Sequence, residues 1–401
     1  MGLENGSVVE AHVHAFGCGV HRHVAAGRGD KVAFHWVGEP GDRRTVTYGD
    51  LLREVQKTAN ALKALGVTKG DRVAIYMPMV PEVAIAMLAC ARLGAAHSVV
   101  FSGFPASALA DRINDAEAKV LITADGGYRK GSFFELKPIA DEALKSTPSI
   151  TGVLVYQRRQ PGTAGSTAMQ GGRDHWWHEF VPGQPAECPA DPMPAEQLLY
   201  LLYTSGTTGR SKGAMLTHGN LLSNAQVLKT YWGWVPGDVL IHALPIFHVH
   251  GLFVAIHGAI LNGSPMLWHA KFDPKRVIAD MPRASVFMGV PTLYVRMLAE
   301  PALNRQAVSN MRLFIAGSAP LLIETFQEWQ QRTGHTILER YGMSETIMLT
   351  SNPYRADTRF AKQDERRGGT VGFPLPGVQL RVRDDQGRDC GVDEIGGIQV
   401  Q

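Results

Sequence analysis

The order of apolar runs constrains this chain more than any other property. Between Thr45 and Tyr156, short β-branched runs alternate with stretches whose apolar residues recur every three or four positions. That is the pattern of β-α units wound into a mainly parallel sheet. Leu51, Leu52, Val55, Ala59 and Leu62 mark one helical face, with Gly66 placed to end it. Residues 72–77 read as a strand stopped by Pro78, and a helix then runs to Leu93 with Gly94 behind it. A strand at 98–101, the helix Ala106–Ala116 and a strand at 120–123 continue the alternation. A second series places strands near 198–203, 239–242, 266–268, 286–288 and 313–316. The expected fold class is α/β, two tandem doubly wound layers followed by a small β unit.

The texture changes twice. Residues 157–197 are rich in Pro, Gly, Ser and Gln with little periodicity, which predicts a long surface connection. After Gly368 come Gly, Pro and alternating runs at 378–382 and 395–400 around a turn at 384–387. Four segments are therefore expected in these 401 residues: an extension over 1–25, a first α/β subdomain with its connection over 26–197, a second over 198–367, and a partial β unit over 368–401.

Composition narrows the class. Hydrophobic residues at 45% and charged residues at 19% are ordinary for a globular enzyme. Forty basic against 37 acidic residues leave +3, too weak and dispersed to argue for nucleic acid or a membrane surface. Cys18, Cys90, Cys188 and Cys390 lie far apart without a C-x-x-C pair, so no disulfide framework or zinc site is expected, and a reducing cytoplasm fits. The apolar stretches 83–101 and 241–261 are interrupted by Arg92, Gly94 and His97 in one and by Pro245 and four histidines in the other, so neither is expected to span a bilayer.

The most informative segment follows the apolar run 198–202: Tyr203, Thr204, Ser205, Gly206, Thr207, Thr208, Gly209, Arg210, Ser211, Lys212, Gly213. Small hydroxyl residues and glycines let backbone N–H and side-chain OH groups close around phosphate oxygens, and Lys212 adds a mobile positive charge. A triphosphate cradle is the natural reading, although no G-x-x-x-x-G-K-[ST] exists in the chain. Gly209 to Gly213 also matches the G-x-S-x-G elbow of serine hydrolases, with Ser211 as nucleophile. An elbow needs a strand ending at the motif, and here the expected strand ends about five residues earlier.

This loop resembles the signature of the adenylate-forming superfamily, which includes acyl-CoA synthetases, and three further segments resemble its pattern in order. Leu244 to Gly251 resembles the segment whose histidine, here His248, borders the acyl pocket. Phe314 to Leu321 resembles the adenine-lining turn, placing Gly317, Ser318 and Ala319 on the nucleotide. Glu339, Arg340, Tyr341, Gly342, Met343, Ser344, Glu345 and Thr346 resemble the motif in which the tyrosine stacks on adenine and the second glutamate holds magnesium. The resemblance implies the large N-terminal domain of that fold and an AMP-forming acid–CoA ligase with ATP, Mg2+ and coenzyme A. Lys212, Thr204 and Glu345 would carry the catalytic charge, with Thr204 and Glu345 also as magnesium ligands. Read alone, Tyr341 and Gly317 serve equally as core, and Glu345 as a solvated surface residue.

The likeness divides along the chain. Residues 20–194 look like acetyl-CoA or propionyl-CoA synthetases, and from Leu198 onward the chain looks like malonyl-CoA synthetases. Because that superfamily builds its acyl pocket mostly from the second half, the resemblance implies malonate or methylmalonate, with acetate or propionate as the alternative acid. His248, Ser318, Gly342 and Met343 would line the pocket. Gly342 replaces tryptophan of the acetate enzymes, and Arg296 falls where malonate enzymes receive the distal carboxylate. Arg129 matches the first of two arginines that hold coenzyme A, while Ser132 stands at the second. The family's ribose-binding aspartate, hinge and C-terminal lysine would fall beyond residue 401, so these residues are expected to bind nucleotide better than they turn it over. A catalytically incomplete nucleotide-binding fragment is thus a third reading beside the ligase and the hydrolase.

Overall fold

The helix Tyr48–Ala64 shows how directly local chemistry sets the elements. Thr47 Oγ1 accepts from the Asp50 N–H at 3.1 Å while Asp50 Oδ2 accepts from the Thr47 N–H at 3.3 Å, a reciprocal cap. Gly66, with φ +84°, turns the chain away at the other end. The computed structural model describes residues 17–160, 162, 164–204, 211–354 and 366–401. It divides into two units, Met1–Ala225 with Val235–Asp273 and Gln226–Trp234 with Pro274–Gln401.

The first unit carries a seven-stranded sheet in the order Lys212–Thr217, Leu198–Thr204, Ala96–Val99, Arg72–Tyr76, Val120–Ala124, Gly152–Tyr156, Asp174–Trp176. Neighbours pair parallel throughout, except for the antiparallel hairpin at the first edge. Strands covered on both faces read as unbroken apolar runs, and all five residues of Val120–Ala124 are buried. On one face the helix Ala106–Ala116 packs Leu109 and Ile113 with Leu121, Val153 and Val155 of the sheet. The helix Pro81–Leu93 is buried on every side, starts on a proline and ends at Gly94 with φ +65°. The α/β alternation expected from the sequence is therefore present.

The connection 157–197 holds more order than its composition implies. Asp174–Trp176 adds a parallel edge strand beside Gly152–Tyr156, followed by the short helix Trp177–Phe180. Its anchor is ionic: Lys137 Nζ lies 2.7 Å from Asp174 Oδ2 and 2.6 Å from Asp141 Oδ1, while Arg173 Nε reaches Asp174 Oδ1 at 2.6 Å. Three residues held by buried charge leave no periodic signal.

Four further strands of this unit run in the order Leu240–His242, Met266–His269, Val32–Val37, Arg43–Thr47. After Pro245 the apolar stretch winds as a π-helix, His250–His257, and then as Gly258–Asn262. Gly251 allows this winding, because a Cβ there would collide with the Pro245 carbonyl.

In the second unit Val286–Gly289, Leu313–Ala316 and Ile337–Met343 are successive parallel neighbours, and Ile347–Ser351 and Phe373–Pro374 add antiparallel to that edge. Trp329 of the helix Ile323–Thr333 stacks edge-on against Tyr294 at 4.9 Å and Phe314 at 5.0 Å, joining helix and sheet through aromatic contact. The hairpin Leu380–Arg383 with Gly397–Val400 forms where the small β unit was expected.

Candidate nucleotide and acid site

In the first unit the hairpin register sets Thr204 opposite Lys212, at the open end of the two strands. Lys212 is exposed and Thr204 half-buried. Ser205, Gly206, Thr207, Thr208 and Gly209, expected to cradle phosphate, lie outside the described residues. Both strands are tied to the helix Ala106–Ala116. Tyr203 OH donates to Asp115 Oδ2 at 2.7 Å, and Arg112 Nη2 donates to Ser211 Oγ at 3.1 Å. The Arg112 guanidinium lies over the rings of Phe104 and Tyr203, at 4.7 Å and 5.6 Å. Burial, with Asp115 as acceptor, pushes the Tyr203 hydroxyl pKa up and keeps it a donor.

Ser211 precedes the strand Lys212–Thr217, whereas an elbow nucleophile follows a strand. Its hydroxyl also accepts from Arg112. The hydrolase geometry is not formed.

His248 stands exposed in the same unit, beside Phe247, whose ring lies 4.3 Å from that of Phe101. His248 Nδ1 accepts from the His250 N–H at 3.4 Å. Arg129 is exposed at the tip of the hairpin Gly126–Arg129 with Ser132–Glu135, directly opposite Ser132. Lys130 and Gly131 make the two-residue turn with φ +53° and +82°.

The second unit brings two other motifs together by strand pairing. Ala316 pairs with Glu339, so the turn Gly317, Ser318, Ala319 starts beside the strand that carries Arg340, Tyr341, Gly342 and Met343. Ser318 and Ala319 are exposed, and Ser318 has φ +69°, an uncommon conformation for a residue with a side chain. The strand then hairpins through Ser344, Glu345 and Thr346 to Ile347, which has φ +61°. A β-branched residue in that region is strained, and such strain gathers at ligand-holding turns. Tyr341 to Ser344 are half-buried and Glu345 is exposed.

Polar groups near this turn lack partners. Glu339 Oε1 accepts from the Leu321 N–H at 3.0 Å, while its Oε2 is buried without a partner among the described residues. Burial raises that carboxyl's pKa against the pull of the Leu321 hydrogen bond. Arg340 Nε and Nη2 and Thr346 Oγ1 are likewise unsatisfied. Arg296 is exposed on the helix Pro291–Leu298, on the side of Thr292 and Val295, while Leu293, Tyr294, Met297 and Leu298 turn inward.

No cluster of three metal-ligating side chains occurs among the described residues. Magnesium bound to a nucleotide needs only one or two protein oxygens; of the two residues expected to supply them, Glu345 is exposed in its unit and Thr204 half-buried in the other. Among the described residues no helix is long and apolar enough to cross a membrane. Arg112 and the left-handed backbone at Ser318 and Ile347 were not legible in advance. An arginine in an amphipathic helix and a β-branched residue in a strand carry no local mark of such roles.

Comparison with known proteins gives the family. Acetyl-coenzyme A synthetase of Streptomyces coelicolor is 39% identical over 396 residues, covering 94% of this chain and 58% of its own length. That of Mycobacterium tuberculosis is 44% identical over 358 residues, covering 81% and 54%. This chain thus spans a little over half the length of these curated relatives. Among solved structures, MatB from Rhodopseudomonas palustris, both apo and with ATP bound, matches with TM-score 0.80 and 38% identity over 97% of this chain and 70% of that one. The match to the family described as AMP-binding enzyme runs over residues 21–401, and the chain belongs to that family.

Proposed function

We propose that the chain supplies the nucleotide and acid side of an AMP-forming acid–CoA ligase, with malonate or methylmalonate as the acid. The observation that carries this reading is the pairing of Ala316 with Glu339, which sets the turn Gly317 to Ala319 beside the strand leading to Tyr341 and Glu345. Two polar turns at adjacent strand ends, one with a left-handed serine and the other with an exposed carboxylate, suit a flat base and its phosphates.

In this reading the acid's carboxylate attacks the α-phosphate of ATP, releasing pyrophosphate, and coenzyme A then displaces AMP from the acyl-adenylate. Lys212 neutralises phosphate charge from its exposed place at the hairpin mouth, and the Thr204 hydroxyl orients the same group. Glu345 and Thr204 are the residues that would each offer an oxygen to magnesium, and the metal when bound would supply positive charge for the leaving pyrophosphate. Tyr341 stacks on adenine, His248 borders the acid, and Arg129 meets a phosphate of coenzyme A.

Arg296 supports the dicarboxylate choice, because a second carboxylate needs a cation and a guanidinium fork matches it. Acetate or propionate is the second reading, favoured by relatives named acetyl-coenzyme A synthetase. The test is exchange of labelled pyrophosphate into ATP, dependent on added acid, by the 401-residue chain alone and joined to the C-terminal remainder of a relative. Malonate-dependent exchange in the joined protein supports the reading. Acid-independent ATP hydrolysis, or no exchange with any acid, overturns it.

A further inference from the structure

The strand Ile337–Met343 holds a charge that the proposed reaction does not use. Arg340 is 2% exposed, and its Nε and Nη2 have no hydrogen-bond partner among the described residues. Its neighbour Glu339 does not neutralise it, since successive side chains on a strand point to opposite faces and Glu339 turns to the Leu321 N–H. Burial lowers the guanidinium pKa to about 9, offset in part by Tyr294. A buried cation without a carboxylate costs several kcal/mol, and retention of such a group points to a partner that arrives from outside the chain.

Gly317 shows where that partner sits. A Cβ on residue 317 would stand 2.6 Å from Arg340 Cζ, 2.7 Å from Nε and 2.8 Å from Nη1. The guanidinium therefore lies flat beneath the glycine, at the start of the turn whose next residue, Ser318, is left-handed and exposed. Gly317 brings no side chain of its own between the charge and the turn. Thr346 Oγ1, also unsatisfied, belongs to the hairpin at the end of the same strand.

The geometry points to Arg340 as a positioning residue that acts through Gly317 to draw an oxyanion of the ligand, a carboxylate or a phosphate, onto the Gly317–Ser318 turn. Glycine at 317 is then required to admit the guanidinium beneath the turn. The identity of the ligand rests on the proposed ligase reading, but the anion preference of the turn does not.

The test is calorimetric titration of the full 401-residue chain and its Arg340→Met, Arg340→Lys and Gly317→Ala forms with AMP, adenosine and malonate, with melting measured alongside. Arg340→Met is expected to melt at or above the wild-type temperature while losing affinity for AMP or malonate by roughly tenfold or more, the size a charge-assisted contact carries. Adenosine affinity stays level, and Lys restores part of the loss. Loss confined to AMP assigns a phosphate, and loss confined to malonate a carboxylate. If Arg340→Met does not fold, Gly317→Ala, which displaces the guanidinium without removing it, is expected to show the same loss of anion affinity. Lower melting with unchanged anion affinity, or equal losses for AMP and adenosine, shows a structural arginine and overturns the inference while the ligase reading stands. A wild-type chain that binds neither nucleotide nor malonate overturns both.

Discussion

Gly342 lies so close to Ile347 across the hairpin that a Cβ on residue 342 would collide with the Ile347 carbonyl and stand 2.7 Å from Met348 Cε. The register shift between Tyr341 and Gly342 brings the two strands together here. The glycine expected to open the acid pocket is thus demanded by the hairpin itself, and its presence alone says little about the size of the acid. Gly342→Ala is expected to destabilise the protein by about 1–3 kcal/mol, as overpacking against main chain does. Urea unfolding checks this, and an unchanged midpoint would show that the strands can part at no cost.

The ion network at Lys137 makes a second expectation. Lys137 and Asp174 have 1% and 0% of their side chains exposed and stand 2.7 Å apart. Lys137→Ala leaves Asp141 with Arg173, and Asp174 with Arg173 and the Gln170 N–H, and a broken buried pair costs about 3–5 kcal/mol. The lower end applies because Arg173 keeps its 2.6 Å contact with Asp174. Chemical denaturation of Lys137→Ala and Lys137→Met separates lost charge from lost packing. A loss of stability below about 1 kcal/mol in the Ala form would mean that water reaches the site.

Acid sensitivity follows from two buried histidines. His97 and His242 have neither ring nitrogen hydrogen-bonded among the described residues, and burial, aided by His218 and His269 respectively, pushes each pKa down to about 3. A folded-state pKa below the unfolded value of 6.5 means that the unfolded chain binds more protons between the two. Stability from these groups is present in full above about pH 6.5 and is lost progressively as pH falls toward 3. His242→Phe, which keeps a ring against Trp268, is expected to flatten the acid side of a stability–pH curve. An unaltered slope between pH 6 and pH 4, as about the steepest part of that window, would place the proton uptake elsewhere.

Much of this was readable from spacing because the elements themselves are local. Gly66, Gly94 and the apolar face from Leu51 to Leu62 marked helix ends and burial as the structure has them. The proximity of Gly317 to Arg340 was not readable, since it arises from parallel pairing of strands more than twenty residues apart, and parallel register leaves no local signature. The strand Asp174–Trp176 was hidden for a different reason: its anchor is charge, and periodicity reports only apolar faces. The role of Arg296 came from the family resemblance alone, and the structure sets the residue on an exposed helix face.

The phosphate cradle gives a fourth expectation. Lys212 is exposed at the mouth of a hairpin held by Tyr203, Asp115, Arg112 and Ser211, so removing its side chain costs little packing. Lys212→Ala is expected to weaken Mg-ATP binding roughly tenfold, the size of a charge-assisted hydrogen bond, with melting unchanged. Equal ATP affinity in both proteins would remove Lys212 from the site.

The central claim is that the chain holds an adenylate of a dicarboxylic acid, and the most direct measurement is titration with stable sulfamoyl-adenosine mimics of the malonyl, propionyl and acetyl adenylates. The malonyl mimic is expected to bind tightest. Arg296→Ala is expected to lower its affinity by about 2–5 kcal/mol, the cost of leaving one member of a charge pair alone, and to leave the propionyl mimic unchanged. Tightest binding of the acetyl mimic, or equal losses for malonyl and propionyl in Arg296→Ala, would contradict the account.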